Sequence, residues 1–152
     1  MTMVPIRPGR RVAMLLLVAG LGVTGAAAGA PDSQRAGDYT IHYNALSGDA
    51  LPVVSTRAYG LRHDASQGLV TITVNAGPGA AGATLPLTVT GRAATLLGRT
   101  IPIKVRYIDD KTGHSALVTF DIHGSQSIRF DLDVTPQNAS TTHLRFVHTY
   151  TP

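Results

Sequence analysis

Six histidines are the side chains in this sequence best suited to bind a metal or to transfer a proton. A transition-metal site needs two to four ligands that converge at about 2.0–2.3 Å. The spacings H-x-H, H-x-x-x-H and H-E-x-x-H, which place two ligands on one face of a strand or helix, do not occur. We therefore predict no metal site and no cofactor. The histidines are His42, His63, His114, His123, His143 and His148.

Nucleophilic and acid–base catalysis lack their usual residue patterns. Hydrolysis by a serine needs a base and an orienting acid beside the nucleophile, and the G-x-S-x-G elbow is absent. Paired carboxylates could serve a glycosidase, but the available aspartates alternate outward on predicted strands, near Arg129 and Arg145. Cross-strand charge pairs explain them more simply, so we predict that the protein is not an enzyme. The aspartates are Asp121, Asp131 and Asp133.

The charge balance argues against a nucleic-acid partner. The 152 residues include 13 Lys and Arg against nine acids, but Arg7, Arg10 and Arg11 stand at the very front. Without those three, ten basic residues face nine acidic ones. Nucleic-acid binding requires a clustered basic surface, and this pattern does not predict one. The chain has no cysteine, so a single hydrophobic core must hold the fold without disulfides.

The first 28 residues have the pattern of a secretory signal peptide. Three arginines precede an uncharged run at residues 12–23, and small residues follow that run up to Ala30. A membrane-spanning helix needs about 20 apolar residues, and this run is shorter. We predict cleavage after Ala28, a periplasmic or secreted location, and no membrane span in the mature chain. Residues 29–36 are predicted to form a mobile polar lead-in.

Alternating segments predict the elements that position these side chains. Residues 37–44 alternate apolar and polar side chains, which indicates a first strand with Tyr39, Ile41 and Tyr43 on the core side. Six more such segments are separated by Gly, Pro, Asn or Asp. We predict an all-β, antiparallel, immunoglobulin-like sandwich of about seven strands as a single domain over residues 37–152. A small barrel is the alternative topology. The six segments are residues 69–75, 84–91, 101–108, 117–123, 128–134 and 144–150.

The first long connection, residues 44–68, contains the candidate binding residues. Pro52 at the start and Gly60 just past the end predict one short helix over residues 52–59. Polar side chains cluster around Tyr59, and loops on a rigid sandwich often carry recognition. The alternative is a lid that plugs one end of the sandwich. The candidate binding patch consists of His42, Arg57, Tyr59, Arg62 and His63.

Several segments, taken in order, resemble one family. They are residues 37–44, 58–61, 96–99 and 129–136, followed by a closing strand that ends in Tyr150. Together they resemble the small exported bacterial proteins of domain-of-unknown-function family 4426. The resemblance implies a periplasmic β domain and brings no catalytic residues with it. Members of that family tend to have Gln after Leu-Leu-Gly, where this chain has Arg99.

These patterns favour a non-enzymatic binding or accessory module of the bacterial periplasm. Its expected partner is a periplasmic protein, a peptide or an envelope component, and no nucleic acid. The alternative function is a histidine-based carrier of a metal or small ligand that would use His42 and the histidine of the first long connection. The sequence does not predict an oligomeric state.

Overall fold

The computed structural model describes residues 32–77 and 82–151. Within them the chain forms nine strands, one short helix and a 3₁₀ turn at Gly48–Ala50. The predicted signal peptide and residues 29–31 lie outside the described residues. The helix is α1 (Val53–Ala58), and the strands are β1 (Asp32–Ala36), β2 (Tyr39–Ser47), β3 (Gln67–Ala76), β4 (Leu87–Thr95), β5 (Thr100–Ile101), β6 (Lys104–Asp110), β7 (Gly113–Asp121), β8 (Gln126–Pro136) and β9 (Thr142–Tyr150).

The strands form two separate antiparallel sheets. The five-stranded sheet has the order β1-β2-β3-β7-β6, and the four-stranded sheet has the order β5-β4-β8-β9. Without the short strands β1 and β5, this is the A-B-E-D and C-F-G arrangement of constant-type immunoglobulin domains. The predicted sandwich is therefore confirmed, and the described residues do not form the alternative barrel. Seven of the nine strands correspond to the seven predicted segments.

One correction concerns the lead-in. Asp32–Ala36 form β1, which pairs with β2 along its whole length, so this part of the predicted mobile segment is a strand. Gly37, with a φ of 61°, makes the turn between the two strands. The strand was missed because only one of its three inward positions, Ala36, is apolar. Gln34, for example, donates a hydrogen bond to the backbone carbonyl of His143 in the opposite sheet at 3.2 Å.

The core lies between the sheets and is built from the inward side chains of both. Ile41 is fully buried, and Tyr39 and Tyr43 pack half-buried against the core, which confirms the predicted inward face of the first strand. Phe130 is the largest fully buried side chain. Its ring lies 4.8 Å from that of Phe146, centroid to centroid. It also lies 5.4 Å from the ring of Phe120 on β7, so aromatic packing connects β8 to its neighbour β9 and to the opposite sheet.

The first long connection lies over the outer face of the five-stranded sheet. Its helix ends as predicted: Gly60 has a φ of 63°, and the amide of Leu61 donates to the carbonyl of Thr56 at 2.7 Å. Leu69 and Leu117 point outward by register, yet both are buried. The connection thus covers this sheet face, where the sequence had suggested a plug at one end of the sandwich.

Candidate functional site

The structure separates the five residues of the predicted binding patch. His42 lies on the outer face of β2, where its buried Nε2 atom has no hydrogen-bond partner. Arg57 and His63 are exposed in the first long connection, and Tyr59 is half-buried at the end of α1. In the described part of the chain, the side chains of the five patch residues, Arg62 included, form no hydrogen bond or ion pair with one another. They share one side of the molecule without forming a common site.

The polar groups of the first long connection bind mainly to one another and to β7. Nη2 of Arg62 lies 2.7 Å from Asp121, and Nε lies 3.4 Å from Asp64. The Ser66 hydroxyl hydrogen-bonds to Asp64, which together with the charge of Arg62 holds the pKa of that carboxyl below its usual value. The arrangement fastens the connection onto the sheet, as expected of a lid.

The opposite face of the molecule carries an ordered group of charges. On the outer face of the four-stranded sheet, Asp131 of β8 lies between Arg92 of β4 and Arg145 of β9 in the cross-strand register. Nε of Arg145 donates to its Oδ1 at 3.3 Å, and Nη2 of Arg92 lies 3.6 Å from its Oδ2. Only 23% of the Asp131 side chain is exposed, against 69% for Arg145. One carboxylate thus orients two guanidinium groups, which confirms the predicted cross-strand pairing for Arg145 and Asp131; Arg129 makes no such pair among the described residues.

The surroundings of Asp131 favour its ionised form. Partial burial of the carboxyl raises its pKa, but the hydrogen bond and charge of Arg145 act in the other direction. The charges of His143 and Arg92 add to that effect, and the resulting pKa of Asp131 lies below its usual value. The carboxylate therefore stays charged and continues to hold its partners at neutral pH.

His143 links the charged group to a second carboxylate, that of Asp133. Its Nε2 lies 2.9 Å from Oδ1 of Asp131, and its Nδ1 contacts Asp133. Both ring nitrogens are engaged, so neither is free to accept a proton from a substrate. His148, five residues along β9, points to the opposite face and packs 4.5 Å from the ring of Tyr150, as the odd spacing requires.

A cleft of about 380 Å³ opens beside this group. We call it the arginine cleft, and it is lined by Arg92, Ala94, Gly98, Thr100, Arg129, Phe130, Asp131 and Arg145. Arg129 faces Ala94 on β4 and Val147 on β9, neither of which can pair with it. No carboxylate of the described residues lies within ion-pair distance of Arg129. The cleft therefore presents one unpaired guanidinium next to two oriented ones.

A glycine lets β4 approach the backbone of Asp131 closely. Gly91 has a φ of 138°, which favours glycine. A Cβ built there would lie 2.2 Å from the carbonyl oxygen of Asp131. Arg92 is the next residue, so this close contact between the two backbones helps to place the guanidinium of Arg92 beside the carboxylate of Asp131.

The described residues contain no group of three or more His, Cys, Asp or Glu side chains placed to hold a metal ion. In the same part of the chain, no helix has both the length and the apolar character to cross a bilayer. The sequence does not predict the arginine cleft, although it predicts Asp131 as an outward charge near Arg129 and Arg145. The strand register is not evident from the sequence, and it places Arg92, almost forty residues earlier, directly opposite Asp131.

Two comparisons bear on the fold. The family model for a domain of unknown function (DUF4426) matches residues 33–151. A solved structure of a DUF4426 family protein from Pseudomonas aeruginosa PAO1 is similar to this chain, with a TM-score of 0.68 and 24% sequence identity, and the match covers 80% of this chain and 95% of that one. No curated protein matches. The resemblance seen in the sequence is confirmed.

Proposed function

Because this chain belongs to the DUF4426 family, a family of unknown function, we propose its function from geometry and sequence: it is an exported, non-enzymatic binding or accessory module of the bacterial periplasm. Its partner is a periplasmic protein, a peptide or an envelope component. It meets that partner through the outer face of the four-stranded sheet. The arginine cleft, with its unpaired Arg129, is the observation that carries this proposal.

A rigid support favours binding at this face. The side chains of the cleft stand on β4, β5, β8 and β9, and the strands beneath them pack on a buried aromatic core. Preorganised side chains lose little conformational entropy when a partner binds. In the first long connection, Arg62 already pairs with Asp64 and Asp121, and the remaining guanidinium, that of Arg57, stands on exposed α1 outside the arginine cleft.

The contacts of the charged group support a non-enzymatic role. Asp131 is shared by Arg92, Arg145 and His143, and both nitrogens of His143 face carboxylates. A general base must be able to reach and accept the proton of its substrate, and these groups have their lone pairs engaged. Export rests on the sequence alone, on the basic, apolar and small-residue pattern of residues 1–28.

Site-specific cross-linking in living cells tests the proposed binding face. A photoreactive amino acid at Val147, which is 53% exposed beside Arg129, should give a cross-linked product with a periplasmic partner. The matched position is Val54, which is 74% exposed on α1 over the other sheet. It should give no such product. Cell fractionation of the same strains checks the location.

Products at Val54 and none at Val147 would place the partner on the five-stranded sheet and contradict the proposal. Sustained turnover of any substrate by the pure protein would remove the non-enzymatic part. The alternative carrier function has one observation in its favour, the unpartnered Nε2 of His42. It predicts that zinc or copper raises the melting temperature and that His42→Ala and His63→Ala abolish the effect.

A further inference from the structure

We propose that the arginine cleft is a binding site for a single oxyanionic group, a carboxylate or a phosphate, carried by a small molecule or by the end of a larger one. This inference rests on the proposed function and gives the chemistry of its contact. The feature that carries it is the surplus of guanidinium groups in a cleft of molecular size.

Charge is the first argument. Arg92, Arg129 and Arg145 line the cleft with Asp131 as the one acidic residue, which leaves two positive charges uncompensated. Arg129 lies on the same face of β8 as Asp131, two residues away, but that carboxylate already pairs with Arg92, Arg145 and His143. An anion in the cleft would supply the negatively charged partner that Arg129 lacks.

Free hydrogen-bond donors are the second argument. A guanidinium has five N–H donors in a planar fork that matches carboxylate and phosphate oxygens. Arg145 uses its Nε for Asp131, so both of its Nη groups are unused, and Arg92 uses only Nη2. Arg129 has no hydrogen-bond or ion-pair partner in the described part of the chain. Donors on three sides thus remain available to one oxyanion.

Repulsion within the cleft is the third argument. Because Arg92 and Arg145 lie opposite Asp131, each is a diagonal neighbour of Arg129. Such neighbours are about 7–8 Å apart, within reach of long side chains, and like charges at this separation repel one another. Arg129 should therefore lower the stability of the empty protein, and a bound anion should reverse that effect.

The surroundings limit the size and charge of the ligand. A volume of about 380 Å³ is near the lower end of small-molecule sites, which span about 300–1,000 Å³. Asp131 and Asp133 border the positive region on the side of His143. A polyanion such as a nucleic acid would extend past both carboxylates, whereas one terminal oxyanion in the cleft would meet only Asp131, whose charge Arg92 and Arg145 already share.

Calorimetric titration of the full mature protein with inorganic phosphate, and separately with succinate, tests the proposal in a chloride buffer of constant ionic strength. The wild-type protein should bind at least one probe saturably. Arg129→Gln should weaken that binding about tenfold or more, the effect typical of losing a charge-assisted hydrogen bond. Arg35→Gln removes the same charge from exposed β1 on the other sheet and should leave binding unchanged. Which probe binds more tightly identifies the oxyanion.

Thermal unfolding without ligand shows whether the variant is folded. Arg129→Gln should unfold at the same temperature as the wild type or higher, because a repulsive charge is gone. Absence of saturable binding of both probes to the wild type overturns the proposal, as does equal weakening by Arg35→Gln. Either result leaves cross-linking at Val147, and hence the proposed function, intact. If cross-linking at Val147 is absent while the wild type still binds phosphate or succinate, the anion site stands and the proposed function fails.

Discussion

The carboxylate of Asp131 holds Arg145 from the neighbouring strand at 3.3 Å while its other oxygen faces Arg92. Asp131→Asn should lower the melting temperature by about 4 °C, since Arg92, Arg145 and His143 lose the charge of their common partner. Asp38→Asn, in the exposed turn after β1, is the matched control. The measurement is thermal unfolding by circular dichroism at low salt. Equal melting temperatures for the two variants would show that the charged group does not stabilise the fold.

Tyr107 connects the edges of the two sheets. Its hydroxyl accepts a hydrogen bond from the amide of Val89 at 3.0 Å and lies 3.3 Å from the carbonyl oxygen of the same residue. Tyr107→Phe should lower the free energy of unfolding by about 1 kcal/mol, because a part-buried amide of β4 loses its partner. Urea denaturation measures the change. The hydroxyl of Tyr39 has no such partner among the described residues, so Tyr39→Phe should lower the free energy of unfolding by less. Equal losses for the two variants would contradict this role of Tyr107.

Gly91 of β4 has no room for a side chain. Gly91→Ala places a Cβ within 2.2 Å of the carbonyl oxygen of Asp131 and keeps the φ of 138°. Backbone strain of this kind costs on the order of 1–3 kcal/mol, and we expect that loss in urea denaturation. Thr88→Ala, on the exposed face of the same strand, should change stability by less than about 0.5 kcal/mol. A harmless Gly91→Ala would argue against the close contact of β4 and β8.

His148 should make stability depend on pH. Its burial lowers its pKa below the usual 6.5, and the charge of Asp32 only partly opposes this. The unfolded chain therefore binds the proton more readily, so stability is complete above pH 6.5 and falls as the pH decreases through that value. His148→Gln should lose less stability than the wild type between about pH 7 and pH 5.

Thermal unfolding at several pH values measures this difference. The aspartates with lowered pKa, Asp64, Asp110 and Asp131, have a usual value of 3.8, so their contributions are lost only below it. A scan that stops near pH 5 therefore separates the histidine from the carboxyls. Parallel losses in wild type and variant would assign the pH dependence to another group.

Alternation along seven strands was sufficient to predict the fold class, an antiparallel β-sandwich. The inward row of Tyr39, Ile41 and Tyr43 and the left-handed Gly60 were both identified from local sequence, because burial on one face and a helix end leave short-range signals. β1 left no such signal, since its inward positions include Asp32 and Gln34. Its pairing partners, not its own side chains, make it a strand.

The candidate site was harder to predict for a related reason. The sequence directed attention to the first long connection, where Arg57, Tyr59 and Arg62 are close along the chain. The arginine cleft instead joins Arg92 to Arg129 and Arg145 through the pairing of three strands. Period-two patterns state which face a residue occupies, but they do not state which strands are neighbours or in what register. That information appears only in the folded structure.

Amide chemical shifts of the isotope-labelled protein, followed by NMR during titration with inorganic phosphate, test most directly whether the outer face of the four-stranded sheet is the binding face. The account predicts that the largest changes fall on Ala94, Gly98, Thr100 and Arg129, with residues 48–66 unchanged. Changes centred on residues 48–66, or spread evenly over both sheets, would contradict it.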